Sequence, residues 1–399
     1  MLIASRRITA AKYPDPGEED NTVHKILIFG AAGRVGQSIT AELMRRGQHV
    51  VMADRLPREQ LEQIGRRHLM DSQLTSNQDT ATLSVHGGID ALQQAQVSEV
   101  LAAEKPDLVI NYAIPITWDA TKRLPNYNRI SAAGLGAFTP IQVFTPWVIG
   151  RAIAELELDC KYMVGNLPDI TIPILSGLPG VHRPSCGAGN VGLIATAIKH
   201  QVCQSLAETA DNIEVDLVAH HIHWVAPREP GYPNDAPFLL RVARSGTDIT
   251  DELGDPRSLM NSAIVDCYEA GAGFSSTTGY LATQIAMALL DTSEQAHSLH
   301  APAPNGLPGG YPVQISQGTL QTRLPNCWTQ KDALKAMVEA QGKDGVALID
   351  EQGTTRFSQQ ARDILKAEIG FELPAVMAAS DIEAVARDQI ATVQGLFDR

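Results

Sequence analysis

The sequence predicts an α/β protein with an N-terminal Rossmann parallel sheet and a C-terminal mixed α/β domain. Three observations support this fold class. A continuous apolar run ends at a glycine, evenly spaced glycines open a helical pattern, and a second apolar run follows and ends at an acid. Strands buried in a parallel sheet have this continuous apolar character, and alternation of strands with helices is typical of such a sheet.

The first strand–turn–helix unit carries a nucleotide-binding pattern. Residues 26–29 form the apolar run, and Gly30, Gly33 and Gly36 follow it. Gly30 permits a tight turn, Gly33 lets backbone N–H groups approach a phosphate, and Gly36 lets the helix over residues 35–46 pack closely on the strand. The helix N-terminus would offer N–H donors and partial positive charge to a pyrophosphate. The predicted phosphate-binding residues are Gly30, Ala32, Gly33, Arg34, Val35 and Gly36.

The second strand, residues 49–53, ends at an acid that bears on the choice of cofactor. A carboxylate at Asp54 would accept the adenosine ribose hydroxyls and repel a 2′-phosphate, which favours NAD over NADP. Arg55 follows directly and leaves NADP open. The alternative is a nucleotide-free α/β unit that needs the glycines only for its turns.

The alternation continues to about residue 166. Further strands are predicted at residues 81–85, 107–113 and 161–165, and helices at residues 89–103 and 139–155. Because the carboxyl end of the fourth strand lies beside the first glycine turn in such a sheet, Tyr112 and Ala113 are expected to contact the cofactor. Residues 118–135 read as an irregular polar-aromatic stretch that is expected to cover the site.

The second half mixes helices with short strands and shows no clean linker. Helices are predicted at residues 190–206, 255–268 and 279–290, strands at 213–219 and 238–243, a loop at 227–237, and a hairpin at 346–357. We therefore expect a mobile N-terminal arm over residues 1–22, an NAD-binding domain over 23–168, and a substrate and oligomerisation domain over 169–399.

Composition narrows the class of protein. With 399 residues, 44% hydrophobic and 19% charged, the chain resembles an ordinary globular enzyme, and a net charge of −13 argues against a nucleic-acid partner. Five scattered cysteines indicate free thiols in a reducing cytoplasm. No apolar run approaches the ~20 residues that span a bilayer, and no secretory signal follows the first arginines, so no membrane association is expected.

Three histidines, His220, His221 and His223, follow the predicted strand over residues 213–219. A histidine can act as general base toward a hydroxyl, and an imidazole with the Cys186 thiolate could hold a divalent metal. In an extended strand His221 and His223 would share one face and His220 the other. The alternatives are packed or surface histidines, and for Cys186 a small buried hydrophobe.

The order of these motifs resembles the superfamily of lactate and malate dehydrogenases and the NAD-dependent family-4 glycosidases. Asn166 stands where that superfamily has an asparagine touching nicotinamide and substrate, and His221 matches its functional histidine. The segment from His220 to Trp224 is similar to N-H-x-x-W, and Cys186 resembles the glycosidases' metal ligand. Residues 305–312 look like the late malate-dehydrogenase loop.

Two departures limit what this resemblance implies. The aspartate that pairs with the dehydrogenases' histidine would fall near Gly192, where no carboxylate stands. The arginine-rich substrate loop is not recognisable, and only Arg123 and Arg129 lie in the corresponding region. Specificity for 2-hydroxy acids is therefore not carried over. The Tyr-x-x-x-Lys motif of short-chain dehydrogenases is also absent from the sequence.

These observations predict an NAD(P)-dependent dehydrogenase that exchanges hydride with a secondary alcohol or ketone of a polar small molecule, a hydroxy acid or a sugar derivative. His221 would be the acid/base, Asn166 would orient the substrate, Arg129 would hold an anionic group, and Asp169 or His223 would orient His221. One alternative is a metal-dependent glycosidase-like hydrolase or lyase with transient redox, using Cys186 and His221. Another is a non-catalytic NAD-binding redox sensor. The resemblance implies a homodimer.

Overall fold

The structure, a computed structural model, describes residues 22–75, 80–269 and 274–397. The predicted N-terminal arm lies outside this range except for Thr22. Among the described residues no single helix is long and apolar enough to cross a membrane. The helical segments Tyr127–Ala133 and Leu135–Glu155 reach that length and apolar character only when taken together, and the chain bends by 91° between them.

The N-terminal half is a six-stranded parallel sheet in the order β3-β2-β1-β4-β5-β6. Its elements in chain order are β1 (Lys25–Phe29), α1 (Arg34–Arg45), β2 (His49–Asp54), α2 (Arg58–Thr75), β3 (Thr82–Gly87), α3 (Gln94–Glu104), β4 (Leu108–Asn111), α4 (Trp118–Thr121), α5 (Tyr127–Ile130), α6 (Thr139–Glu155), β5 (Lys161–Val164), α7 (Pro168–Gly177) and β6 (Cys186–Gly187). The last strand lies beyond the boundary predicted at residue 168.

The apolar run that opens the pattern forms the centre of this sheet. In β1, Ile26, Leu27 and Ile28 are fully buried and Phe29 is 1% exposed. β1 pairs with β2 on one side and β4 on the other, both parallel. A strand covered on both faces needs apolar side chains at every position, which explains why the run does not alternate.

Three small antiparallel sheets and seven helices complete the described part of the C-terminal half. The sheets are β7-β8-β9, β10-β11-β12 and β13-β14-β15. The elements are α8 (Asn190–Leu206), β7 (Ile213–Val218), α9 (Ile222–Val225), β8 (Leu239–Arg244), β9 (Thr247–Asp248), α10 (Pro256–Glu269), α11 (Phe274–Leu290), β10 (His297–Pro302), β11 (Gly310–Ser316), β12 (Thr319–Thr322), α12 (Gln330–Lys343), β13 (Val346–Ile349), β14 (Thr355–Phe357), α13 (Gln359–Ile369), β15 (Val376–Met377) and α14 (Ile382–Phe397). The predicted fold class is confirmed.

Most predicted elements are present, and three differ in extent. α3 begins at Gln94 rather than near residue 89, because the Asp90 carboxylate accepts the Leu92 N–H and holds a turn there. α11 begins at Phe274, earlier than predicted. The stretch over residues 118–135, predicted to be irregular, contains the short helices α4 and α5.

Two contacts join β7 to its neighbours and so fix the segment that follows it. Ala219 and Gly310 exchange backbone hydrogen bonds of 3.1 and 2.8 Å. Asp216, 1% exposed, accepts from Arg241 at 2.8 Å and from Arg323 at 3.0 Å. The end of β7 is therefore tied both to β8 in its own sheet and to the β10-β11-β12 sheet.

Candidate active site

A cavity of about 300 Å³ lies at the carboxyl ends of β1, β2 and β4. Ligands of open α/β sheets bind at this edge. Among the predicted cofactor residues, the cavity is lined by Gly30, Ala32, Gly33, Asp54, Arg55, Tyr112 and Ala113. Arg34, Val35 and Gly36 form the first turn of α1. The guanidinium of Arg34 is largely exposed and pairs with Asp119.

The three glycines have different roles. Gly30 has φ +80°, and a Cβ there would lie 2.5 Å from the Ala113 nitrogen. A Cβ at Gly36 would overlap the Gly30 carbonyl, so helix and turn pack closely, as predicted. Gly33 differs, because its φ of −65° is ordinary and a Cβ there would meet only the Gly30 oxygen, at 3.2 Å. Gly33 keeps a cavity wall open at an uncapped helix N-terminus, which fits a bound phosphate group.

Asp54 is held by the backbone on the other side of the cavity. Its Oδ2 accepts the Ala32 N–H at 2.9 Å, and its Oδ1 accepts the Leu56 N–H at 3.2 Å. The Ala32 N–H is thus used by the protein rather than pointed at a phosphate. The carboxylate is fixed at the end of β2, where each oxygen keeps a lone pair for a ribose hydroxyl.

Asn166 joins the ends of β4 and β5. Its amide nitrogen donates to the Ala113 oxygen at 2.7 Å, and its oxygen accepts from Asn111 at 3.0 Å. Thr145 donates to the same Ala113 oxygen at 2.6 Å. Because these bonds occupy the side chain, Asn166 anchors the cavity wall at Ala113.

Four buried side chains meet beyond this wall, and we call them the polar core: Asp169, His220, His221 and Asp344. They are exposed by 1, 0, 3 and 0%, respectively. The Oδ2 of Asp344 lies 3.4 Å from His221 Nδ1 and 3.9 Å from His220 Nδ1. The Oδ2 of Asp169 lies 4.0 Å from His221 Nδ1. His221 therefore faces both carboxylates.

The chain turns sharply as it enters the polar core. β7 ends at Val218, and α9 begins at Ile222 after the Ala219–Gly310 bridge. The strand predicted over residues 213–219 is present, but the chain is not extended beyond it, so the alternate faces that an extended chain would give the histidines do not apply. Since the chain is helical here, both His220 and His221 face Asp344, whereas His223 turns away.

The ring of His223 is bonded to backbone on both sides. Its Nδ1 lies 3.0 Å from the His220 nitrogen and 2.9 Å from the His220 oxygen, and its Nε2 lies 3.0 Å from the Ala236 oxygen. In the neutral tautomer that carries the proton on Nε2, Nε2–H donates to Ala236 and Nδ1 accepts the His220 N–H. Burial lowers the pKa of His223 to about 4, so the ring is neutral. His223 thus holds the turn together and does not orient His221.

Most polar atoms of the polar core lack hydrogen-bond partners. These atoms are both ring nitrogens of His220 and His221, both carboxylate oxygens of Asp169, and Oδ2 of Asp344. Burial raises the pKa of Asp169 to about 7; the Asn190 amide and the His221 N–H oppose this shift without forming bonds of normal geometry. Burial lowers the pKa of His221 to about 3 and raises that of Asp344. Groups buried in this way are costly unless something binds them.

An aromatic cluster stands beside the polar core. Trp118 packs edge-on against Tyr127 and Phe138, and its ring centroid lies 6.3 Å from that of Tyr232. The Tyr127 hydroxyl donates to Glu229 at 2.5 Å. Burial and the nearby Asp344 raise the pKa of Tyr232. This cluster extends from the cavity residue Thr117 toward Asp344.

Comparisons with known proteins agree with this architecture. Residues 26–132 match the family model described as the NAD dependent epimerase/dehydratase family. No curated protein matches the sequence. The structure is similar to that of Eimeria maxima lactate dehydrogenase with NADH and oxamate, at 15% identity over 82% of this chain and 93% of that chain, with a TM-score of 0.53.

Two further structures give the same result. Cryptosporidium parvum lactate dehydrogenase, complexed with lactic acid and nicotinamide adenine dinucleotide, is 15% identical over 81% of this chain and 97% of that one, with a TM-score of 0.54. Picrophilus torridus malate dehydrogenase is 16% identical over the same shares, with a TM-score of 0.53. The chain has the lactate and malate dehydrogenase fold.

Two residues that the sequence predicted for the site, Arg129 and Cys186, lie apart from the polar core. Arg129 is on α5 with 74% of its side chain exposed, and it pairs with Glu368 at 3.4 Å, so its guanidinium already has a carboxylate partner. Cys186 is buried in β6 beside Met163, and burial raises its pKa to about 12. Among the described residues, the side chains that group closely enough for one ion are His220, His221 and Asp344, and Cys186 is not one of them.

In this dehydrogenase fold, Asp169 and Asp344 stand beside His221 although no acid lies near Gly192. Sequence analysis missed Asp344 altogether. The sequence did contain a signal for it. Asp344 lies at the C-terminus of α12, where the helix dipole disfavours a negative charge, so an acid at this position indicates a role other than helix stabilisation. Tyr311 was also missed; it is fully buried and its hydroxyl lacks a partner, and burial, followed by the nearby Asp169, raises its pKa.

Proposed function

We propose that the chain is an NAD-dependent oxidoreductase that exchanges hydride with a secondary alcohol or ketone of a polar small molecule. One observation carries the proposal. The segment over residues 166–169 begins with Asn166 bonded to the cavity wall and ends with Asp169 in the polar core. A nucleotide cavity and a group of titratable side chains are therefore joined through four residues.

Each part of the site would serve one step. A bound nicotinamide supplies the hydride donor or acceptor. Gly33 and the N-terminus of α1 would hold the pyrophosphate, and Asp54 would accept the ribose hydroxyls, which favours NAD. The polar core would exchange a proton with the substrate oxygen through Asp169, whose Oδ2 lies 4.0 Å from His221 Nδ1, and His221 would position the reacting oxygen.

Two cations near the short helices α4 and α5 are already paired with carboxylates, which favours an uncharged substrate. Arg129, expected to hold an anion, is paired with Glu368 on the surface. The neighbouring Lys122 is paired with Glu229 at 2.5 Å. The polar core itself contributes two carboxyl groups, and the aromatic cluster adds apolar surface. We therefore favour a neutral polyol or sugar derivative over a hydroxy acid.

A substitution at Gly33 tests the nucleotide site without harming the fold. Gly33 is the N-cap of α1 and has extended backbone geometry, so Gly33→Asp supplies a helix cap that offsets the 3.2 Å approach of its Cβ to the Gly30 oxygen. The added carboxylate would repel a pyrophosphate. We expect NADH binding, followed by fluorescence, to weaken at least about tenfold, a loss of about 1.4 kcal/mol.

Two controls complete this test. Gly33→Ser caps the helix without charge and should bind NADH better than Gly33→Asp. Gly395→Ala, with nothing within 4 Å of the new Cβ, should match the wild type. The proposal is wrong if the wild type binds neither NADH nor NADPH, or if Gly33→Asp binds as tightly as the wild type.

A further inference from the structure

We propose that the polar core binds one divalent transition-metal ion through His220, His221 and Asp344. The inference deepens the proposed function and rests on it only for the part that the ion plays in the reaction. The ion's binding involves none of the residues that line the nucleotide cavity. The two proposals can therefore fail separately.

The geometry of the three side chains fits one ion. Each offers a ligand atom, and the three atoms lie within 4.8 Å of one another. Asp344 Oδ2 is 3.4 Å from His221 Nδ1 and 3.9 Å from His220 Nδ1. Donors bound tetrahedrally at 2.0–2.1 Å are about 3.3 Å apart, so small movements of side chains would complete the site.

The bonding state of these atoms indicates an occupant. All three side chains are at most 3% exposed, yet no ring nitrogen of His220 or His221 has a hydrogen bond, and neither does Asp344 Oδ2. Packing defects do not explain this, because Asp344 Oδ1 accepts the Leu135 N–H at 2.9 Å and so holds Oδ2 toward the histidines. A cation would bind the nitrogen lone pairs and Oδ2 together.

The surrounding charge also suits a cation. Asp169 adds a second buried carboxyl group 4.0 Å from His221 Nδ1, and both of its oxygens lack partners. A divalent ion would balance the two carboxylates in a site from which water is largely excluded.

The donor set indicates the class of metal. Two imidazoles and one carboxylate suit Zn²⁺, Mn²⁺, Fe²⁺ or Co²⁺ better than Ca²⁺ or Mg²⁺, which prefer all-oxygen sites. Three protein ligands leave a position open for a substrate oxygen, where the ion would polarise a hydroxyl or carbonyl group. The set also differs from the pair that the sequence resemblance implied, since Asp344 and His220 take the place of Cys186.

Metal content tests this donor set directly. The full chain is purified without chelator and then stripped of any bound metal. Separate samples are dialysed against Zn²⁺, Mn²⁺ or Co²⁺, and the bound metal is measured by elemental analysis. We expect about one ion per wild-type chain and less than about a tenth of an ion for Asp344→Asn and His220→Gln. Cys186→Ser is the matched control and should retain the ion.

Two further readouts do not depend on activity. Co²⁺ bound to the wild type and to Cys186→Ser should give the visible absorption of a low-coordinate nitrogen–oxygen site, and Asp344→Asn should not. Zn²⁺ should raise the Tm of the wild type but not of the ligand variants, because only the wild type binds it tightly in the folded state. Circular dichroism checks that each variant is folded, and His220→Gln replaces Asp344→Asn should the latter misfold.

The outcomes separate the two proposals. Uptake of none of the three ions by the wild type overturns the metal site, as does loss of the ion from Cys186→Ser with retention in Asp344→Asn. Gly33→Asp should keep its full metal content while losing NADH. Metal binding without NADH binding in the wild type would overturn the proposed function and leave the metal site standing.

Discussion

His221 and His223 lie two positions apart, yet the structure gives them opposite surroundings. Both ring nitrogens of His223 are bonded to backbone, whereas neither ring nitrogen of His221 has a partner. The sequence cannot distinguish them, because the difference depends on whether the chain is extended or helical after Ala219. The change follows directly after Ala219, which is bridged to the distant Gly310 beyond the last β7–β8 pair.

A substitution at His223 should therefore affect stability and leave the metal site intact. His223→Ala removes the acceptor for the His220 N–H and the donor for the Ala236 oxygen. We therefore expect the free energy of unfolding to fall by about 2 kcal/mol. Denaturant unfolding measures this loss. Surface-exposed His200→Ala is the control and should change stability by less than about 0.5 kcal/mol. A large loss of bound metal from folded His223→Ala would contradict a purely structural role.

At the scale of elements, the position of Asp344 depends on how α12 ends against the segment that precedes α6. A Cβ at Gly134 or Gly136 would overlap the backbone of Asp344. The Gly136 N–H donates to the backbone carbonyl oxygen of Asp344 at 2.9 Å. Glycines on one segment thus let two backbones touch and place a carboxylate opposite the histidines.

Alanine substitutions on the two sides of this contact should have opposite effects. Gly136→Ala forces the Asp344 backbone away, and we expect a stability loss of about 1–3 kcal/mol together with weaker metal uptake. Gly342→Ala lies inside α12 with nothing within 4 Å of the new Cβ, so it should gain up to about 1 kcal/mol. Thermal unfolding compares the pair. Equal changes in Tm for the two variants would show that the contact between Gly136 and Asp344 does not contribute to stability.

The N-terminal sheet could be predicted because its signals are local. The apolar run, the glycine spacing and the acid at Asp54 lie close together in the chain, and the structure contains the cavity that they predict. The polar core was only partly predictable. Its members come from α7, the end of β7 and the end of α12, and nothing local connects Asp344 to His221. The pairing of Arg129 could not be predicted for a similar reason, since its partner Glu368 belongs to α13.

At the scale of the whole molecule, one buried acid links two of the three C-terminal sheets. Asp216 on β7 pairs with Arg241 on β8 and with Arg323 just after β12. Because β7 leads directly into His220 and His221, this pairing links the mutual placement of two sheets to the geometry of the polar core.

Removal of that acid should destabilise the entire chain. Asp216→Ala leaves two arginines without their buried partner, and we expect a loss of about 3 kcal/mol. Asp248→Ala is the control, because Asp248 is half exposed and lies 3.6 Å from the same Arg241; it should cost less than about 1 kcal/mol. Urea unfolding of both variants measures the difference. Similar losses for the two would show that burial of Asp216 is unimportant.

The separation of cavity and polar core along the chain has a consequence during synthesis. All residues that line the cavity fall between positions 29 and 145, whereas Asp344 is translated well after the last of them. Since folding proceeds from the N-terminal domain as the chain emerges, a nascent polypeptide can gain affinity for nucleotide long before it acquires the means to react with it. Under the proposed function, a chain not yet extended to Asp344 would therefore bind dinucleotide without reacting with it.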